Sequence, residues 1–193
     1  MTLRQLKKEV TRSAIESTGL ELFLKHGFDE VRVEDICKAV LVHRRTFFRY
    51  FASKEDVVLS PFRRDLAEAG EYLATRPAEE SIQDALHALC ERVAARYDND
   101  NDRESTLARL RLIESVESLT SAYLKALVDF EYLLRGFIAA KLAERDGNRV
   151  WLIGAAAVAA FRVALETWRD TGGEESLQPV IVRNLDVVIA GCV

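Results

Sequence analysis

Apolar residues recur at every third or fourth position along most of the chain. The first segment follows this spacing at Leu3, Leu6, Val10, Ala14, Thr18 and Leu22. Such spacing places the apolar side chains on one face of a helix. Gly27 comes just after His26, and a glycine in this place is typical of a helix end. The pattern predicts an amphipathic helix that ends near His26.

Two shorter segments follow. Val33, Ile36, Cys37 and Val40 have helical spacing, and the acidic residues at 34 and 35 suit the first turn of a helix. After a break at 41–42, a third short helix is expected over 44–51. Ser53 is a good helix N-cap with Asp56 three residues later, so a fourth helix should begin there.

Six longer segments with helical spacing fill the rest of the chain. They cover about 54–75, 82–97, a stretch beginning at Leu107, 123–142, 150–168 and 177–192. Ser60-Pro61 is expected to kink or split the first of them, the polar run 98–102 is predicted to be a loop, and Asp146 to Asn148 should end the fourth helix in this part of the chain. No period-2 strand pattern stands out. The sequence therefore predicts an all-α fold with about nine helices.

Composition agrees with a water-soluble helical protein. The 193 residues are 49% hydrophobic and 30% charged, with 9 glycines and 3 prolines, so the chain is long enough to bury a core without metal or disulfide. The longest apolar run, Val150 to Phe161, is shorter than the ~20 residues that cross a membrane. The three cysteines, Cys37, Cys90 and Cys192, are far apart, which favours reduced thiols in the cytoplasm. We expect a cytoplasmic protein that does not bind membranes.

Charge divides the chain unevenly. The formal net charge is −4, but residues 1–65 carry 13 Lys/Arg and 10 Asp/Glu, whereas the remainder is strongly acidic. Between Asp35 and Glu55 every charged residue is basic. A local basic stripe on an acidic protein is typical of a small DNA-reading domain on an unrelated body. An ordinary solvated surface is the alternative interpretation.

The segment 33–51 has the pattern of a helix-turn-helix, in which the second helix enters the DNA major groove. On a helix that starts after His43, Phe47 and Phe51 fall on one side and should anchor it. The other side carries Arg44, Arg45, Phe48 and Arg49. Arginine binds guanine through two parallel hydrogen bonds, and Phe48 suits a thymine methyl group. Thr46, Tyr50 and Lys54 suit phosphate oxygens.

Three spaced motifs resemble the head of the tetracycline-repressor (TetR) family. They are Phe23-Leu24-Lys25-His26-Gly27-Phe28, Val33-Glu34-Asp35-Ile36, and Arg44-Arg45-Thr46-Phe47-Phe48-Arg49-Tyr50-Phe51-Ala52-Ser53-Lys54-Glu55. The resemblance covers about residues 8–60. It implies a helix-turn-helix DNA-binding domain over 1–53 and a helical ligand-binding and dimerisation domain over 54–193.

The resemblance also implies the following DNA contacts. Positions 44 and 45 should face bases, position 48 the groove, and positions 46, 50 and 54 phosphates; Arg32 and Glu34 should add contacts from the start of the second helix. The sequence departs from the family at three places. Leu41 stands where the turn usually has glycine, His43 where the third helix usually has a Ser or Thr N-cap, and Arg32 where the second helix usually has Thr.

A two-fold DNA site needs two heads about 34–36 Å apart, so a homodimer is implied. The family builds a four-helix bundle from the last two helices of each subunit. The predicted interface residues are Ala157, Phe161, Leu165, Trp168, Ile181 and Val188. Packing inside a single subunit is the alternative for this apolar stripe.

The middle helices, about 78–170, are expected to surround a ligand pocket. Its candidate wall residues are Tyr97, Leu110, Tyr123, Phe130, Phe137, Trp151 and Phe161. Plain core packing is the alternative for each. Arg109, Arg111 and Arg135 are candidates to receive an anionic ligand such as an acyl thioester, with solvated helix faces as the alternative. The expected ligand is small and hydrophobic or of acyl type.

No catalytic constellation appears. His87, Cys90 and Glu91 form part of a zinc-ligand set, but further ligands are missing, and there is no glycine-rich phosphate loop or nucleophile elbow. We therefore expect no metal, no cofactor and no enzymatic activity. The sequence predicts a homodimeric regulator that binds double-stranded DNA at a two-fold operator and is released by a ligand. The alternative is a DNA-binding regulator without a small-molecule ligand, controlled by a protein partner.

Overall fold

The computed structural model describes residues 2–98, 100–142 and 147–190. These described residues form nine helices and no strand, as the sequence predicts. The helices are α1 (Leu3–His26), α2 (Val33–Ala39), α3 (Arg44–Tyr50), α4 (Lys54–Ala74), α5 (Ile82–Tyr97), α6 (Asp100–Ser115), α7 (Glu117–Leu142), α8 (Gly147–Asp170) and α9 (Leu177–Ala190).

Two local expectations differ from the structure. Helix α6 begins at Asp100, so most of the predicted polar loop is helical, in keeping with the preference of acidic residues for a helix N-terminus. Helix α4 is not split: it continues through Pro61, because Val57, Val58, Leu59 and Phe62 on both sides of the proline are buried. Asn99 of the predicted loop, Asp146 at a predicted helix end, and Cys192 lie outside the described residues.

The described chain divides into two compact units. The first comprises the described part of Met1–Phe62 together with Arg111–Tyr123, and the second the described parts of Arg63–Leu110 and Leu124–Val193. The first unit therefore extends beyond the head predicted over 1–53. Its additional residues include the first half of α4 and the connection between α6 and α7. The functional boundary at residue 53 stays a prediction.

Helices α1 and α4 approach closely in the first unit. A methyl group added at Gly19 would lie 2.8 Å from Val57 Cγ1, so only glycine allows this approach without a shift of the neighbour. Near this contact the Ser60 hydroxyl donates a hydrogen bond of 2.5 Å to Glu16 Oε1, and both side chains are buried. This bond satisfies a carboxylate that would otherwise be costly inside the core.

The second unit is built around α8, which packs against α9, and α5, which also packs against α9. The indole of Trp168 lies edge-on to the Tyr97 ring at 6.2 Å, and its Nε1 donates to the Glu175 carbonyl at 3.0 Å. Gly173 allows the chain to turn here: its φ is +68°, and an added methyl group would lie 3.0 Å from the indole. The packing fixes the position of α9 relative to α8.

By length and composition, α8 is the one helix among the described residues that meets the criteria for a membrane span, and 44% of its most apolar stretch is buried. The core helix of a water-soluble protein meets the same criteria. One side of α8 faces the core. A second side exposes Leu152, Ala155, Ala159 and Val163, at positions three or four residues apart.

Candidate nucleic-acid interface and internal cavity

Helices α2 and α3 are joined by a tight turn. The Val40 N–H donates to the Ile36 carbonyl and the Val42 N–H to the Cys37 carbonyl, both at 3.0 Å, which ends α2. Leu41 has a φ of +55° and is 92% exposed. A left-handed conformation is unfavourable for a residue with a Cβ atom. This is the position at which the sequence departs from the glycine usual in the family.

Helix α3 is anchored by two phenylalanines. Phe47 and Phe51 are almost completely buried and their rings lie 5.7 Å apart, as the sequence predicts. Ile36 of α2 is buried as well. One side of α3 therefore packs against the core of the head, and the opposite side is exposed to solvent.

The outer side of α3 carries the residues predicted to bind DNA. His43, Arg44, Arg45, Phe48 and Arg49 are exposed, whereas Thr46 and Tyr50 are half-buried. The Arg44 guanidinium lies over the Phe48 ring at 5.4 Å. Arg49 Nη2 donates to the Tyr50 hydroxyl at 3.2 Å. The structure thus brings these seven residues to one helix and its N-cap, and their individual DNA contacts stay predictions.

The start of α2 adds an acid to this surface. Arg32 is exposed, and its backbone N–H donates to Asp35 Oδ2 at 2.9 Å. Glu34 Oε1 lies 3.1 Å from Arg44 Nη1, with both side chains more than half exposed. Glu34 therefore orients Arg44, which is predicted to face bases. This ion pair was not predicted from the sequence.

Lys54 is placed differently from the other predicted phosphate contacts. Its ammonium donates to the carbonyls of Phe28, Asp29 and Val31, at 2.7, 3.3 and 3.3 Å, and lies 4.4 Å from the centre of the Phe28 ring. A lysine has three N–H donors, and three carbonyls take them here. The side chain holds the loop between α1 and α2 to the start of α4, so its contact with phosphate stays a prediction that requires a change of partner.

Cys37 of α2 is buried, as the sequence favours. Burial raises the pKa of its thiol, and the nearby Glu34 carboxylate raises it further against the opposing effect of Arg44. A neutral thiol is a poor nucleophile, so Cys37 serves the packing of the head.

The second unit encloses an apolar cavity of about 50 Å³. Its walls come from α4, α5, α7, α8 and α9. The lining residues are Asp65, Leu66, Ala69, Leu86, Leu89, Cys90, Val93, Phe130, Leu134, Ala157, Val158, Phe161 and Leu185. All but Asp65 and Cys90 have hydrocarbon side chains. The cavity is suited to an apolar group.

Of the seven predicted pocket residues, Phe130 and Phe161 line this cavity. Trp151 is 53% exposed and carries the Arg135 guanidinium 3.4 Å above its ring. Tyr123 packs against Phe62 in the first unit at 4.6 Å. Leu110 and Phe137 are half-buried and do not line the cavity, and Tyr97 is buried against Trp168. These residues lie away from this cavity, and their contact with a ligand stays a prediction.

The residues predicted to form the dimer interface are mostly turned inward in the single subunit. Leu165, Trp168 and Ile181 are almost completely buried within their own subunit, so they have no surface to offer to a second one. Ala157 and Phe161 line the cavity, and Val188 is half-buried. Helix α8 is apolar on nearly all sides, so its periodicity does not distinguish the core side from the outer side.

The partial zinc-ligand set does not assemble. His87 of α5 pairs with Asp186 of α9, with Nε2 2.7 Å from Oδ1. Burial, Asp186 and Glu91 raise the pKa of the Cys90 thiol to about 12. Within the described residues no group of three or more His, Cys, Asp or Glu side chains is suited to hold a metal ion.

Comparison with known proteins gives the family. Residues 15–60 match the model of bacterial regulatory proteins of the tetR family, and residues 77–193 match the MftR C-terminal domain of TetR-type proteins. The HTH-type transcriptional regulator TcmR of Streptomyces glaucescens is 36% identical over 173 residues, which are 86% of this chain and 76% of TcmR. The chain belongs to the TetR family.

Solved structures share the fold of this TetR-family protein. The Thermus thermophilus repressor FadR, in complex with lauroyl-CoA, has a TM-score of 0.60 and 22% identity, over 93% of this chain and 94% of FadR. The Bacillus subtilis FadR, in complex with stearoyl-CoA, has a TM-score of 0.62 and 16% identity, over 93% and 98%. Family membership and the named relatives make this TetR-family protein a DNA-binding transcriptional regulator, and regulators of this family act as dimers.

Proposed function

We propose that this TetR-family regulator is a repressor whose release from a two-fold operator is triggered by a small apolar molecule bound in the second unit. The observation that carries the proposal is the enclosed apolar cavity, one wall of which belongs to α4. The structural neighbours crystallised with acyl-CoA support a small-molecule effector.

The size of the cavity supports a coupling mechanism. Its volume of about 50 Å³ is far below the ~300–1,000 Å³ of typical small-molecule sites. An effector of ordinary size enters only if wall residues move. Ligand binding and a change of conformation are therefore the same event in this proposal.

Helix α4 is the element through which that change reaches the head. It is one continuous helix from Lys54 to Ala74. Its first half places Val57, Val58 and Leu59 in the core of the first unit, and its second half places Leu66 and Ala69 on the cavity wall. Displacing the wall shifts a helix whose first half belongs to the core of the first unit. To move the regulator from nearly all bound to nearly all free, the effector must prefer the released conformer by about 10⁴-fold.

The outer side of α8 is the proposed dimer face. Leu152, Ala155, Ala159 and Val163 form an exposed stripe on it, and Val187 is the most exposed large apolar residue of α9. Small alanine side chains allow two helices to approach closely, and the apolar area of α8 is then buried. These residues replace the interface predicted from the sequence.

A single substitution tests the dimer face. Val163→Asp places a charge in the centre of the stripe and is expected to give monomers by light scattering. Val10→Asp is the matched control, because Val10 is an exposed valine on α1 and its change should leave a dimer. A Val163→Asp protein that remains dimeric, with its helix content intact, contradicts this assignment.

The effector is tested on an operator selected from random duplexes. Apolar amines, alcohols, acids and acyl thioesters are added to the preformed complex, and release is followed by fluorescence anisotropy. Release by one chemical class, and its loss after Ala69→Trp fills the cavity from α4, is the expected result. An operator complex that is indifferent to the whole panel favours control by a protein partner, the alternative function.

A further inference from the structure

The wall of the cavity carries one ionisable side chain that is charged near neutral pH. Of its lining residues, Asp65 and Cys90 have polar side chains, and the Cys90 thiol is neutral because burial raises its pKa to about 12. Asp65 is a carboxylate on α4, and its side chain is 12% exposed. The candidate anion-receiving residues Arg109, Arg111 and Arg135 do not line this cavity. Among these lining residues the one charged side chain is therefore acidic, and none is basic.

Asp65 is incompletely satisfied by its neighbours. Its Oδ2 accepts a hydrogen bond from the Tyr97 hydroxyl at 3.3 Å, a long distance for such a bond. Arg96 Nη1 lies 2.8 Å from Oδ1, yet Oδ1 is enclosed and accepts no hydrogen bond of good geometry from the described residues. Oδ1 is therefore held by an ion pair with Arg96 but by no well-aligned hydrogen bond, which leaves it able to accept from a donor of better geometry.

The partners of Asp65 are also able to leave it. The Arg96 side chain is 43% exposed and lies 3.5 Å from Glu68 Oε2 as well, so it keeps a carboxylate partner if Asp65 turns to a ligand. Burial raises the pKa of Asp65 to about 6 against the opposing effects of Arg96 and Tyr97. A donor supplied by a ligand would stabilise the ionised form.

Asp65 also stands where the interior meets a polar groove. With Ala69, Leu89 and Val93 it borders both the cavity and an open groove of about 660 Å³ between α4 and α5. The groove is lined by arginines and by glutamates, so it carries both positive and negative charge. A molecule with an apolar body and one polar end is matched to this arrangement, with the body inside and the polar end at Asp65.

We propose that the effector of this regulator is an apolar molecule bearing a hydroxyl group or a protonated amine, and that Asp65 Oδ1 accepts a hydrogen bond from this group. The inference rests on the proposed function, because it names the chemistry of the same effector. Free carboxylic acids and phosphate-bearing thioesters are disfavoured, since their charge would face a carboxylate. The ligand class thus differs from the acyl type expected from the sequence.

A matched set of probes with one naphthalene body tests the assignment. The probes are 1-naphthylmethanol, 1-naphthylmethylamine, 1-methylnaphthalene and 1-naphthoic acid, and their binding to the full dimeric protein is measured by calorimetry. We expect the alcohol and the amine to bind at least about tenfold more tightly than the methyl compound, because a hydrogen bond to a charged group is stronger than a neutral one. The acid should bind more weakly than the methyl compound.

Three variants assign the effect to Asp65. Asp65→Leu removes the acceptor and should abolish the advantage of both donors, whereas Asp65→Asn keeps an acceptor without charge and should weaken the amine more than the alcohol. Asp129→Asn is the matched control, because Asp129 is an exposed carboxylate of α7 paired with Lys125 outside the cavity. It should leave all four affinities unchanged.

The outcomes separate this inference from the proposed function. Equal affinities for all four probes, an absence of binding by all four, or an advantage that survives Asp65→Leu overturns the role of Asp65. Ligand-triggered release by other classes of molecule is still measurable in that case. If the probes bind in the expected order while the selected operator stays occupied, the role of Asp65 is upheld and ligand-released repression is contradicted.

Discussion

The carboxylate of Glu34 lies 3.1 Å from the guanidinium of Arg44, so the first turn of α2 holds the first residue of α3. Both side chains are exposed, and such a pair contributes little to stability. We expect its effect to be on DNA binding, because Arg44 would exchange an acid for a base edge or a phosphate on a duplex. The ion pair should therefore lower affinity for DNA of any sequence.

Glu34→Gln tests this relationship. Releasing Arg44 should raise affinity for random duplexes by about two- to fivefold, the range expected from an exposed ion pair, with no loss of folding stability. Anisotropy titrations over a series of salt concentrations measure it. Glu30→Gln is the control, since Glu30 is an exposed acid of the preceding loop; an equal gain there assigns the effect to net charge. A loss of affinity for the selected operator would give Glu34 a base contact of its own.

Leu41 is expected to destabilise the head. Its φ is +55°, in the left-handed region, and its side chain is 92% exposed. Packing of the side chain therefore does not offset the strain of this conformation. Leu41→Gly relieves the strain and should raise the free energy of unfolding by up to about 1 kcal/mol. The gain is limited because glycine is more flexible in the unfolded chain. Leu41→Ala keeps the Cβ atom and should give no gain. Thermal and urea unfolding of the two variants check the difference, and equal stability of both would exclude backbone strain at this turn.

Lys54 should behave as a structural residue. Lys54→Met leaves three carbonyls without their donor and should cost about 1–3 kcal/mol of stability, while the salt dependence of DNA binding stays as in the wild type. Lys38→Met, at an exposed position of α2, is the control and should leave stability unchanged. If Lys54→Met instead has the wild-type free energy of unfolding and lowers the slope of DNA affinity against salt concentration by about one, the lysine contacts phosphate as the family resemblance implies.

Asp65 makes stability depend on pH. Its pKa is raised from 3.8 to about 6, so the folded chain binds the proton more tightly than the unfolded chain does. Stability is therefore lost as the pH rises from about 4 to about 6. Above pH 6 the total loss of folding stability is about 3 kcal/mol. Asp65→Asn should remove this loss.

Relative to the wild type, the variant should gain about 2 kcal/mol of stability between pH 4 and pH 7, because the wild type has already lost part of the ~3 kcal/mol at pH 4 and the burial cost of the amide does not change with pH. Urea unfolding at several pH values measures the gap. Asp129→Asn, at an exposed position, should show no such dependence. A gap between Asp65→Asn and the wild type that is constant with pH would contradict the raised pKa.

The head was predictable because its signals are local. The glycine after His26, the break at Leu41 and the N-cap at Ser53 lie within a few residues of the structure that they specify. The pairing of Phe47 with Phe51 follows from their spacing of four on one helix. The hydrogen bonds of Lys54 to the loop after α1 could not be predicted, because its partners are more than twenty residues away in sequence.

The cavity and the dimer face were harder to predict for a related reason. Trp168 and Val163 both lie on an apolar helix, yet Trp168 is in the core and Val163 is exposed. That difference depends on where α5 and α9 pack, which no helical period records. Asp65 was missed because an acid in an amphipathic helix looks solvated until its neighbours are known.

Selection of bound fragments from random duplexes shows whether the outer side of α3 recognises base edges. The wild-type protein should enrich an inverted repeat. Arg44→Ala should lose about 1–3 kcal/mol of affinity for it together with the preference at one base pair of each half-site. Arg44→Lys, which keeps the charge without the paired donors, should also lose that preference. Enrichment of the same sequence by all three proteins, or of no sequence by the folded wild type, would contradict base recognition by α3.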